Sequence, residues 1–359
     1  MNFKRVIFTL SVGLLIGSAV AVQENVLADN NTNANANINV NINNNSNQSS
    51  SSSASASSSS DTADSASSSE VTLSQPVLTL GVSLTSAERS EVAQTLEKAA
   101  NVDSSNVQAI TVNGADLVKY LNPSGENFTT SSGVWSSALI QKTDNGGINV
   151  QIVDYNGSDN ITTITQNQYR NAALTAGITN ANIYVTSPRA IDGSGALAGV
   201  YAAYTAAGNS LNQNNINNAQ KEQNLLSSIT QANKGKDGYT DSQLNNAVAG
   251  AKQEIAATKD PASLSRQDIA DIVDKELKKN GLQNVVTQAQ ANQIISLLQK
   301  IAASGVMNKQ SFKGQAGKLS QNIQASAKNI FNKLKNNTGL WAKIKQFFSD
   351  LVTDLRNLF

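Results

Sequence analysis

The chain has 359 residues, 27 basic and 26 acidic, a formal net charge of +1, and neither cysteine nor histidine. That composition excludes disulfides, thiolate nucleophiles, zinc held by Cys or His, and any catalytic triad built on imidazole. What chemistry remains belongs to carboxylates, lysine, tyrosine or an oxygen-ligated metal, and a near-neutral chain has no field to steer it onto nucleic acid.

The first segment reads as a secretory signal. Lys4 and Arg5 form a positive start, and residues 6–17 are an apolar run too short to span a bilayer. Small-residue cleavage sites follow at Ala21 and Ala28, and Ala28 is the expected one because polar Gln23 and Glu24 precede it. Cleavage there leaves 25 basic and 25 acidic residues. Residues 29–70 read as a disordered tether. Eleven asparagines fall within residues 29–47 and 15 serines within residues 46–69, too little apolar surface to offset the entropy of ordering. The serine run also has the composition of a glycosylated surface stalk.

An α/β region is predicted over residues 71–208. It begins with a strand at 77–84 and a helix opened by the capping box Thr85-Ser86-Ala87-Glu88, with Val92, Leu96 and Ala99 at helical spacing. A strand at 107–112 and a short helix at 115–121 come next. Two β-runs, 134–142 and 148–155, flank Asp144-Asn145-Gly146-Gly147, and this Asn-Gly turn predicts a hairpin. Thr165-Gln166-Asn167-Gln168 opens a helix to Ala176, residues 182–186 read as a strand, and residues 195–207 as a helix. From residue 209 to the end the pattern is helical. Thr240 and Thr287 mark helix starts, Ile269, Ile272, Val273 and Leu277 form one apolar stripe, and Ile294, Leu298 and Ile301 another; Ile323, Ile330 and Leu334 extend the theme. The expected fold class is therefore α+β: a mixed, sandwich-like α/β domain at 71–208 and an all-helical domain at 209–359, preceded by the signal at 1–28 and the Asn/Ser segment.

Three stretches carry a resemblance: LTLGVSLTSAERSEV at 78–92, VQAITVNGADLVKYL at 107–121, and YRNAALTAGITNANIYVTSPRAIDGSGALAGVYAAY at 169–204. In them the chain resembles the YpuA-like family of secreted Gram-positive proteins, a domain-of-unknown-function family. The Asn/Ser tether and the asparagine-rich stretch at 209–218 depart from its pattern. The resemblance implies an exported α/β plus helical protein and brings no catalytic residues.

Local motifs add little chemistry. Gly193-Ser194-Gly195-Ala196-Leu197-Ala198 matches G-x-G-x-x-A, but no second parallel strand or acidic residue follows at the right distance, so the glycines read as a strand-to-helix turn. Ser158-Asp159-Asn160 matches one penicillin-recognising motif without its companions. Asp154 to Asp159 offers oxygen ligands but lacks the calcium-loop spacing. The carboxylate pairs Glu88 with Glu91 and Asp268 with Asp271 sit near helix starts, where the helix dipole accounts for them. Leu340, Ile344, Phe347, Leu351, Leu355 and Leu358 share a face, with Trp341 and Phe359 beside them, so residues 340–359 form an amphipathic helix. Its cations Lys343, Lys345 and Arg356 are nearly balanced by Asp350 and Asp354, which favours docking on the protein over membrane contact.

No catalytic, cofactor or metal residue is assigned by these patterns. The expectation is a secreted or loosely envelope-associated, non-catalytic module that binds another surface molecule. The alternatives are a carboxylate-dependent hydrolase of envelope polysaccharide and peripheral membrane association through residues 340–359.

Overall fold

The computed structural model describes residues 75–336. The signal, the Asn/Ser segment as far as residue 74 and residues 337–359 lie outside these, and with them Ala21, Ala28 and the amphipathic segment. The order is β1 (Val77–Gly81), α1 (Ser86–Ala100), β2 (Gln108–Val112), α2 (Gly114–Tyr120), β3 (Ser137–Lys142), β4 (Ile148–Ile152), α3 (Gln166–Ala176), β5 (Ala181–Thr186) and α4 (Ser194–Ala206). Helices α5 (Gln213–Asn233), α6 (Asp241–Ala257), α7 (Arg266–Lys279), α8 (Gln288–Ala303), α9 (Gln310–Ser326) and α10 (Lys328–Asn336) complete it. This is the mixed sheet followed by helices that the periodicities predict.

Helix starts follow the capping chemistry read from the sequence. Thr85, Thr165 and Thr287 each accept from the backbone three residues on, while Glu88, Gln168 and Gln290 reach back to the cap N–H. Thr240 caps α6 through the Gln243 N–H.

The five strands lie in the order β2-β1-β3-β5-β4, with β3 antiparallel to the rest. Alternation along β3 sends Leu139 to one face, where Leu78, Leu80, Val92 and Leu96 bury α1, and Ala138 and Ile140 to the other. That second face continues without a break into the apolar stripes of α3 to α9, so sheet and helical layer share one core. The predicted stripe residues Ile269, Val273, Leu277, Ile294, Leu298, Ile301 and Ile323 are all buried in it, and Ile272 packs against it.

One expectation is overturned. Residues 143–147 do not close a hairpin, because β5 inserts between β3 and β4, pairing antiparallel with the first and parallel with the second. A two-residue Asn-Gly turn of type I′ needs φ > 0 at both residues, and here the positive φ values fall at Gly146 and Gly147, not Asn145. The chain instead steps over the start of β5. Asn180, itself left-handed at φ 42, fills the gap: Thr143 N donates to Asn180 O at 2.7 Å, and Gly147 N to Asn180 Oδ1 at 3.2 Å. Gln315 of α9 donates to the same Oδ1 at 2.7 Å. The tight Asn-Gly turn of the region is Asn156-Gly157, with φ 50 and 81, closed by Tyr155 and Ser158, which exchange backbone hydrogen bonds of 2.9 and 3.0 Å.

Candidate functional site

The two carboxylate pairs do not form dyads. Glu88 completes the α1 capping box, its Oε2 accepting from Thr85 N at 2.8 Å, and this bond holds its carboxyl below the usual range. Arg189 joins Glu88 at 3.4 Å and lies over the Trp135 ring, 5.6 Å from its centroid. Glu91 instead accepts from the Tyr155 hydroxyl, a bond that, ahead of burial, pushes the tyrosine up to about 12. Asp268 caps α7 with Ser265, whose hydroxyl lowers it, and Asp271 accepts from Gln267 at 2.8 Å. Glu88 and Asp268 serve helix starts, while Glu91 and Asp271 are held by Tyr155 and Gln267.

The G-x-G-x-x-A glycines are contacts within the protein. A Cβ on Gly193 would strike the Tyr169 hydroxyl, one on Gly195 would lie 2.7 Å from Ser136 Oγ, and one on Gly199 2.6 Å from Thr79 Oγ1. Gly195 and, one turn beyond the motif, Gly199 let α4 pack closely on the sheet.

The chemistry that patterning did not reveal lies along α3. Ten of its eleven residues, Asn167 to Ala176, are buried, and Asn167, Gln168, Asn171 and Thr175 among them bind α5 and α6. Thr175 Oγ1 donates to Glu222 at 2.5 Å, Lys252 donates to the Asn171 carbonyl at 3.0 Å, and Asn171 Nδ2 donates to Asn245 Oδ1 at 3.0 Å. Asp241 accepts from Thr165, Asn167, Gln168 and Asn245, all neutral, and burial raises its pKa. A helix polar on so many sides, sitting between two strands in sequence, is the one trace of this network in the sequence.

Arg170 belongs to the same helix and is 8 % exposed. It donates to Asn167 Oδ1 at 2.8 Å and to the outward-facing Val150 carbonyl at 3.3 Å, while its Nε has no partner. No carboxylate pairs with it among the described residues. Arg170 and Gln166 border a cavity of about 320 Å³, completed by residues 149–151 of β4, the edge strand, and 182–184 of β5. A second cavity of 390 Å³ lies between α5, α8 and the start of α7. Leu225 and Leu297 are its apolar part, Lys221, Arg266 and Lys300 its charged part, and Arg266 is steadied by Ser296 and Gln299 at 3.0 Å each. Neither lining contains an Asp or a Glu. Among the described residues no group of three or more Asp or Glu could hold a metal ion, and no helix is long and apolar enough to cross a membrane.

The uncharacterized protein YpuA of Bacillus subtilis (strain 168) is 26 % identical over 236 residues, which span 66 % of this chain and 74 % of that protein. No solved structure matches the chain. The family profile described as protein of unknown function (DUF1002) matches residues 80–319, from the end of β1 into α9. The chain belongs to the DUF1002 family.

Proposed function

We propose that the protein is exported and works outside the cytoplasmic membrane of a Gram-positive bacterium as a non-catalytic module that binds an anionic molecule of the envelope or surface. Export rests on the signal pattern of residues 1–28 and on cleavage at Ala28. Binding rests on one observation: in a chain with 26 acidic residues against 27 basic ones, both cavities are lined by cations and neutral groups, with no acidic side chain in either. Such linings attract anions and lack the paired carboxylates that polysaccharide hydrolysis needs. The buried network along α3 supports the reading, since its Asn167, bonded to Asp241, holds the Arg170 guanidinium in place before any ligand arrives.

Two measurements test it. Fractionation of cells and medium should place the processed chain, beginning at Asp29, outside the membrane. Purified protein should bind isolated envelope material and release it as salt rises. Recovery of the unprocessed chain in the cytoplasm, or turnover of envelope glycan by the purified protein, refutes the reading.

A further inference from the structure

Resting on that reading, we infer that the cavity beside β4 binds an acidic sugar, with the sugar carboxylate on Arg170 and its hydroxyls on the surrounding amides. The argument begins with charge. A guanidinium taken out of water is costly unless a counter-charge or a full set of acceptors replaces hydration. Arg170 has two neutral acceptors, Asn167 Oδ1 and the Val150 carbonyl, and a buried Nε with none. The acidic group closest in the hydrogen-bond network is Asp241, held beyond the Asn167 amide, whose Nδ2 donates to it at 3.2 Å. An anion in the cavity, meeting the terminal guanidinium nitrogens because Nε is closed to solvent, supplies the counter-charge that the fold withholds.

Stoichiometry and shape select the ligand. One arginine and no other charged side chain line the cavity, so a single negative charge balances it and a dianionic phosphate monoester leaves an excess. A planar carboxylate also suits the guanidinium fork. Gln151 and Gln166 each present both a donor and an acceptor, as a sugar hydroxyl does; Asn182, whose Oδ1 accepts from Asn149 at 3.2 Å, adds its amide donor, and Tyr184 an aromatic ring. At 320 Å³ the volume is at the small end for ligand sites and suits one or two sugar rings.

The test uses calorimetry on the full chain with glucuronate, its neutral counterpart glucuronamide, and N-acetylalanine, a carboxylate without hydroxyls. Glucuronate should bind about tenfold or more tightly than either, the order expected for a charge-assisted contact. Arg170→Gln should abolish the preference. Because Arg170 is buried, Gln151→Ala serves as the second variant: Gln151 is exposed, so the protein should keep its melting temperature and bind glucuronate several-fold more weakly. Equal binding of glucuronate and glucuronamide, tighter binding of N-acetylalanine, or an unchanged affinity in Gln151→Ala overturns the inference. If envelope material is still retained while glucuronate is not, and retention is lost in a Lys221, Arg266 and Lys300 triple alanine variant, the binding reading stands and the Arg170 assignment falls. If neither is bound, both fall.

Discussion

Lys252 Nζ lies 2.5 Å from Glu222 Oε1, and neither side chain has any exposure to solvent. The pair joins α6 to α5, and α3 closes over it through Thr175 on the carboxylate and Asn171 on the ammonium. Burial pushes Glu222 up and Lys252 down, and the charge of each partner opposes that shift in the other.

Removing one partner should therefore leave a stranded charge. Lys252→Met or Glu222→Gln is expected to cost about 3–5 kcal/mol in urea unfolding. The double variant should cost much less than the sum, and that non-additivity is the signature of the pair. Additive losses would mean that Asn171 and Thr175, not the pairing, carry the energy.

Asp241 gives a pH dependence with a definite sign. Its carboxyl is raised above the ordinary 3.8, chiefly by burial, so the folded protein holds this proton more tightly than the unfolded chain. The contribution is fully present below pH 3.8 and is lost as pH rises through the higher folded value. Urea melts from pH 4 upward should fall less steeply in Asp241→Asn than in the natural protein. An unchanged slope would show that this carboxyl does not titrate in that window.

Gly199 should resist substitution because a Cβ there would lie 2.6 Å from Thr79 Oγ1, which donates to the Ala138 carbonyl at 3.1 Å. Gly199→Ala is expected to lose about 1–3 kcal/mol through overpacking. Gly314, with open space around its Cβ position, is the control, where alanine in α9 should gain several tenths to about 1 kcal/mol. Denaturant midpoints of the two variants should move in opposite directions.

Asn180 combines a left-handed backbone with side-chain bonds to Gly147 and Gln315. Asn180→Ala loses both and should cost about 1–3 kcal/mol, while Asn180→Gly restores the conformation and should be the milder change. Equal losses in the two would assign the whole effect to the hydrogen bonds.

Elements of this fold that rest on local signals were legible in the sequence. The caps at Thr85, Thr165, Thr240 and Thr287 are set by side chains within three residues of the groups they bind, and the stripes of α7 and α8 repeat at helical period. The place of β5 was not legible, because an Asn-Gly pair says how a chain turns and not what slides into the turn. The cavity was hidden for a related reason. Arg170 meets Val150 twenty residues away and shares the cavity with residues 182–184, a juxtaposition that no spacing rule reports.

The position of β5 also orders the assembly of the chain. As the polypeptide leaves the ribosome, β3 and β4 emerge together yet cannot zip onto one another, since the slot between them belongs to residues 181–186. The central ladder waits for about thirty further residues, including all of α3, and β4 has no neighbouring strand until β5 arrives. Contacts of that sequence separation slow folding and leave strand edges open to other chains. A protein assembled this way closes its sheet only once the whole of β5 has been delivered.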